Sequence, residues 1–305
     1  MLAILAFAPV GTTDAGDGLR IVATTTMAAD IARSVCGPRG QVECLLAPGI
    51  DPHGYRATPR DADRLVRADV VVASGLRLEG RLADLLERLG RRTPVVAVGD
   101  GLPRERLLEA APGIADPHVW FDAALWSHAP AVVAACLARL DPEAAADYTA
   151  RAAARADRLL ATHDEARRRL GRIPPQRRVL VTAHDAFRYF GRAYGVEVVG
   201  VQGTSTEAEA GLADINRLVE LLVSRRIPAV FVETSVSDRN VSALREGAAA
   251  RGHSVELGGR LFSDSLGGPG SGGETLEGAL LANVDTIVRG LGPADAPGAT
   301  GGEAP

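Results

Sequence analysis

Two kinds of hydrophobic pattern alternate along the chain. Short, nearly continuous apolar runs occupy residues 19–23, 42–46, 70–73 and 95–98, and again residues 179–182, 196–199, 229–232 and 254–257. Runs this short and this apolar, bounded by turn residues, predict strands buried on both faces of parallel sheets. Between them polar and apolar positions follow helical spacing, as over residues 59–67 and 212–224. The alternation predicts an α/β fold built twice.

A different pattern fills the middle, DPEAAADYTARAAARADRLLATHDEARRRLG. It is rich in Ala, Arg and Leu, which are strong helix formers. Asp141 suits an N-cap and Pro142 the first helical position, while Gly171 and Pro174-Pro175 supply the stop. Some 30 residues of helix would reach about 45 Å, so this segment is expected to be a rigid strut. The predicted organisation is a signal remnant over residues 1–18, a first lobe over 19–140, a linking helix over 141–171 and a second lobe over 172–292. The low-complexity tail, 293–305, is expected to be disordered.

Composition narrows the chemistry. Apolar residues make up 46% of the chain, enough for a core in each half. The chain has no lysine; its 34 basic residues are all arginine. A Walker-type phosphate loop and a Schiff-base enzyme both need lysine and are excluded. The net charge of −4 and the lack of a basic stripe argue against nucleic-acid binding. Cys36, Cys44 and Cys136 make neither a disulfide framework nor a Cys-x-x-Cys site. A Cys36–Cys44 bridge is conceivable, and burial as small hydrophobes is the simpler reading. The opening MLAILAFAPV is too short to span a bilayer and looks like the apolar part of a secretory signal, with Ala6-Phe7-Ala8 as a cleavage site. No cysteine precedes Cys36, so no lipid-attachment site is expected, and no later stretch approaches transmembrane length.

Six histidines are present, and two of them sit in the same tripeptide. GIDPHGY carries His53 and ADPHVWF carries His118, 65 residues later. Proline fixes its own φ and pushes the preceding Asp out of the helical region, so each His is presented from a stiff turn. For one such His a turn or cap role is the simpler account. Two copies favour a metal site, which neutral imidazole on a rigid loop suits. In the second half, His184 directly follows a strand in VLVTAHDAFRYF, and Asp264 lies beyond another in LFSDSLGGPGSGG. Ligands of open α/β sheets collect at the carboxyl ends of strands. Taken singly, both residues also suit structural roles.

GIDPHGY, ADPHVWFDAALW, TAHDAFRYFGRAYG, VQGTSTEAEAGLADI, AVFVETSVSDRNV and GRLFSDSLG occur in this order. Together they resemble the cluster A-I solute-binding proteins, the zinc- and manganese-binding components of bacterial ABC importers (solute-binding protein family 9). The resemblance runs from about Leu19 to Leu291. It implies two Rossmann-like lobes with parallel sheets, joined by a single long rigid helix, with a metal in the interlobe cleft. It places the metal ligands on His53, His118, His184 and Asp264. It also implies an extracytoplasmic monomer, in the periplasm or on the cell surface, that delivers its ion to a membrane permease served by a separate ATPase subunit.

The other histidines suit plain roles: His128 and His163 lie on helical segments and His253 in a helix-to-strand turn. Asp185, Asp122 and Glu209 are candidate acceptors for ligand imidazoles, while Glu233 suits either that role or pairing with an arginine. The glycine-rich 267–273 lacks the spacing and the lysine of a nucleotide loop and reads as a turn or lid. Three imidazoles and one carboxylate suit both Zn²⁺ and Mn²⁺, with Fe²⁺ a weaker third. Within the resembled family, manganese members often have Glu at the position of His184, and many zinc members carry a His-rich loop that residues 99–116 lack. The metal is therefore left open between zinc and manganese. A metal-dependent hydrolase is the alternative from a different class, and a surface or adhesive protein with a structural metal is a third. A catalytic zinc keeps an open position for water. Four protein ligands close the shell, so a binder is favoured over an enzyme. Unperturbed imidazoles titrate near about pH 6.5, so affinity is expected to fall between about pH 7 and 5.

Overall fold

The computed structural model describes residues 18–208 and 210–292. The expected signal segment up to Asp17, the tail from Pro293 and the candidate acceptor Glu209 lie outside the described residues. The first lobe contains β1 (Leu19–Ala23), α1 (Thr26–Cys36), β2 (Gly40–Cys44), α2 (Pro59–Arg67), β3 (Val70–Ala73), α3 (Ala83–Leu89) and β4 (Val95–Ala97). A small hairpin, β5 (Glu109–Ala111) and β6 (Ile114–Ala115), precedes α4 (Ala123–Trp126) and α5 (Ala129–Leu140). The long helix is α6 (Ala145–Leu170). The second lobe contains β7 (Val179–His184), α7 (Arg188–Tyr194), β8 (Glu197–Gln202), α8 (Leu212–Ser224), β9 (Ala229–Glu233), α9 (Arg239–Ala249), β10 (Glu256–Leu261) and α10 (Leu276–Leu291).

The first lobe holds a four-stranded parallel sheet in the order β2-β1-β3-β4. Its strand order reverses between β1 and β3, the position where open α/β sheets bind ligands. In the second lobe β8 pairs with β7 and β10 with β9, both in parallel. The ladders are separate, but β7 runs beside β9, which gives the same reversal between β7 and β9. β3, β7 and β9 are buried along their whole length, as near-continuous apolar runs require.

α6 spans 26 residues, about 39 Å, after a 3₁₀ turn over Pro142–Ala144. Asp141 does not cap it. Its carboxylate is taken by Arg39 Nε at 2.7 Å and by the Tyr148 hydroxyl at 2.9 Å. The buried stripe Tyr148, Ala152, Leu159, Ala166 and Leu170 packs on α1 and α5 of the first lobe and on α7 and α10 of the second. One hydrophobic cluster therefore runs through both lobes, from Ile31 through Leu159 to Phe187 and Ile287. Arg155, buried midway along α6, pairs with Asp30 of α1 and, at 2.7 Å, with Glu277 of α10. Separating the lobes would expose this shared core.

Two further expectations need correction. Residues Ala123–Leu140 are apolar enough over 18 positions to match a membrane span by length, yet half the stretch is buried in the protein and a turn at residues 127–128 divides it into α4 and α5. The conceivable Cys36–Cys44 bridge does not form. All three cysteines are free, with Cys36 and Cys136 buried.

Candidate metal centre

Four loops or strand ends deliver one side chain each to the junction of the lobes. His53 lies in the loop after β2, His118 just after the β5–β6 hairpin, His184 at the last position of β7, and Asp264 three residues beyond β10. One donor atom from each of the four lies within 4.8 Å of the other three. His53 Nε2 is 3.3 Å from His118 Nε2 and 3.6 Å from Asp264 Oδ2. His118 Nε2 is 3.3 Å from Asp264 Oδ1, and His184 Nε2 is 3.1 Å from Asp264 Oδ2. All four side chains are buried, His118 and His184 completely.

The doubled Asp-Pro-His is now legible as local structure. Proline has no N–H, so the next donor in the turn is the histidine's own. Asp51 Oδ1 accepts the His53 N–H at 2.8 Å, and Asp116 Oδ1 accepts the His118 N–H at 3.0 Å. Each Asp closes a tight turn that sets its histidine's backbone. Gly80 completes the seat of His53, because a Cβ there would stand 2.4 Å from the His53 carbonyl oxygen at a backbone φ of +26°. In the second lobe the Thr182 hydroxyl donates to the His184 carbonyl at 2.9 Å, and Glu233 Oε1 accepts the His184 N–H at 2.9 Å.

Two imidazoles have carboxylates behind them. His118 Nδ1 is 2.8 Å from Asp116 Oδ1, and His184 Nδ1 is 2.6 Å from Glu233 Oε2. A carboxylate at Nδ1 turns Nε2 toward the centre and makes it a better donor. Glu233 was undecided from sequence because it lies 49 residues from its partner. Asp116 stood in view within the repeated tripeptide but read only as turn chemistry. Asp122 and Asp185, also candidates, serve elsewhere. Asp122 caps α4 through the Leu125 N–H and pairs with Arg192 at 3.0 Å. Asp185 faces Arg188 at 3.8 Å. The remaining histidines stand apart from the cluster: His128 contacts Arg106, His163 packs on Tyr194, and His253 Nε2 reaches the Ile227 carbonyl at 2.8 Å.

The electrostatics are those of a cation site. Burial raises the Asp264 carboxyl, but the His184 and His118 imidazoles outweigh it and hold Asp264 well below the usual carboxylate range. Burial lowers His118, yet Asp116 and Asp264 raise it to about 9. His184 follows the same logic, with Glu233 and Asp264 lifting it well above its ordinary value. His53, which lacks a carboxylate behind it, is lowered by burial. Both oxygens of Asp264 and Nε2 of His184 are buried and face no polar group outside the cluster among the described residues. Buried polar atoms are nearly always satisfied. Polar atoms that have only one another at one buried point suit a positive ion, and the three-nitrogen, one-oxygen set suits a divalent transition metal.

Comparison with known proteins finds relatives along nearly the whole chain. The family model described as the periplasmic component A of the zinc-uptake complex matches residues 21–290. The manganese-binding lipoprotein MntA of Bacillus subtilis is 40% identical over 296 residues, covering 95% of this chain and 97% of the relative. The zinc-binding protein TroA of Treponema pallidum is 41% identical over 278 residues, covering 91% and 90%. The solved structure of periplasmic zinc-binding TroA from Treponema pallidum superposes with a TM-score of 0.88, covering 90% of this chain and 100% of that one.

Proposed function

We propose a function that starts from one premise: the chain belongs to the family of the periplasmic component A of zinc-uptake complexes. It is the extracytoplasmic solute-binding component of an ABC importer. It captures a divalent transition metal, zinc or manganese, between its lobes and delivers it to a membrane permease powered by a separate ATPase. His53, His118, His184 and Asp264 hold the ion. The observation that carries this reading is the convergence of four buried donors, two from each lobe, within 4.8 Å. Secretion by a signal peptide, a monomeric state and lobes bounded at 19–140 and 172–292 with the linking helix between them belong to the same proposal.

Relatives of nearly equal identity are named for manganese and for zinc. The donor set favours zinc in a simple competition, because nitrogen-rich sites hold Zn²⁺ more tightly than Mn²⁺. Four protein donors leave no open position for a reacting water, which disfavours a hydrolase. Metal analysis of protein purified without chelator, followed by competition titration with Zn²⁺, Mn²⁺ and Fe²⁺, tests the reading. Protein that binds none of these ions refutes it.

Two further results are expected. An ion that binds only the folded chain stabilises it by roughly 4 kcal/mol at a thousandfold excess over Kd. In thermal melts this corresponds to a rise on the order of 5–10 °C, reversed by chelator. Glu233→Gln removes the negative charge behind His184 while keeping the shape. It should weaken metal affinity by about 10–100-fold in a chelator-competition assay.

A further inference from the structure

Each Asp of the two Asp-Pro-His turns has a second oxygen, and in both cases it faces the opposite lobe. Asp51 gives Oδ1 to the His53 N–H, while its Oδ2 accepts the Thr206 hydroxyl at 2.5 Å. Thr206 belongs to the second lobe, in the loop between β8 and α8. Asp116 gives Oδ1 to both the backbone and the Nδ1 side of His118, while its Oδ2 lies 3.5 Å from Arg188 Nη1. Arg188 opens α7 of the second lobe, and the same Nη1 donates to the first-lobe Glu109 carbonyl at 2.7 Å. Asp116 is completely buried and its Oδ2 has no hydrogen bond, so Arg188 is the charge that faces it.

Resting on the metal-capture reading, we infer that Thr206 and Arg188 are positioning residues that act across the lobe boundary, through Asp51 and Asp116, on the two first-lobe histidines. A carboxylate engaged at both oxygens cannot turn about its Cβ–Cγ bond. Released at Oδ2 it can turn, and the histidine seated on Oδ1 loses its fixed orientation. The lobes share a core along α6, so they need not swing far apart for this to matter. A displacement of an ångström or two at the loops breaks the Thr206 contact and lengthens the Arg188 pair together. Two of the four donors are then loosened by one motion. The tripeptide is doubled because each first-lobe ligand carries its own joint to the second lobe.

The test uses the full chain and Zn²⁺ or Mn²⁺ alone, with dissociation followed by transfer to a chromophoric chelator. Thr206→Val and Arg188→Gln should each speed metal loss by about 10–100-fold, the range for losing a partner behind a ligand. The metal-free melting temperature of Thr206→Val should stay close to wild type, because valine keeps the side chain's shape and Asp51 still holds the His53 N–H. Thr206→Ser and Arg188→Lys should restore slow release. With Co²⁺ bound, the visible absorption of Thr206→Val should shift relative to wild type, reporting altered ligand geometry. In an Asp51→Ala background, Thr206→Val should add nothing further. Unchanged release rates in variants of a protein that binds metal normally would overturn this inference and leave the binding function standing. An undiminished Thr206→Val effect without Asp51 would overturn it as well. A wild-type chain that binds no metal would instead refute the function.

Discussion

Asp264→Asn should weaken capture of Zn²⁺ or Mn²⁺ by at least roughly 10³-fold while leaving the fold intact. The substitution keeps the shape and one oxygen donor, so it isolates the charge. Asp264 is the only anionic donor of the four, and it is buried at 2% exposure. Two unit charges 4 Å apart gain about 4 kcal/mol at an effective dielectric of 20. At about 1.4 kcal/mol per decade, that is close to three decades, and a doubly charged ion at bonding distance gains more. The imidazoles lose as well, since Asp264 faces all three at 3.1–3.6 Å. His128→Ala, His163→Ala and His253→Ala are the controls and should retain wild-type affinity, because none of them belongs to the cluster. Chelator-competition titration reads both sets. A control as damaging as Asp264→Asn would defeat the ligand assignment.

Where the sequence could be read, local chemistry agreed with tertiary packing. α2 begins after Thr58 because Thr58 and Asp61 cap each other reciprocally around Pro59, and its expected span matches the observed one. β1 and β3 are also found at their expected positions, being apolar runs with abrupt ends. β10 was expected at 254–257 but runs Glu256–Leu261. The apolar run ends before Gly258 and Gly259, yet these glycines keep the strand going. A Cβ at Gly258 would stand 2.5 Å from the Phe231 ring, and one at Gly259 would stand 2.5 Å from Thr286 of α10. These glycines permit close packing, and periodicity has no way to tell that from a break. Asp141 misled for a related reason, because its oxygens had a distant claimant in Arg39. At the site, the donors were legible because each sits in a short recognisable stretch. Their supports were legible only in part. Asp116 was hidden in the turn role it also performs, and Glu233 and Arg188 reach their partners only through the tertiary fold.

Proton release should be the clearest signature of the centre, and it should occur at a higher pH than unperturbed histidine predicts. A ligand imidazole must be neutral to coordinate. In the metal-free protein, His118 is raised to about 9 and His184 well above its ordinary value, so both carry protons at pH 7.5. Metal binding must displace them. His53 is lowered and is already neutral there, while Asp264 is held well below the usual carboxylate range and stays ionised, so neither contributes. Binding at pH 7.5 should therefore release close to two protons per ion, and affinity should keep rising with pH until about 9. The expected fall between about pH 7 and 5 is then only the lower part of a wider dependence. The metal-free fold runs the other way. Raised folded-state values stabilise it fully below about pH 6.5, and that contribution is lost as pH climbs through about 9. Because His118 and His184 share Asp264, their protons leave as a coupled pair and no single midpoint belongs to either. Calorimetric titration at pH 7.5 and pH 9.5, in buffers of different ionisation enthalpy, counts the protons directly. Release near two at the lower pH and distinctly less at the higher is the expected result. No release at pH 7.5 would mean that the carboxylates behind His118 and His184 do not hold those imidazoles charged before the ion arrives.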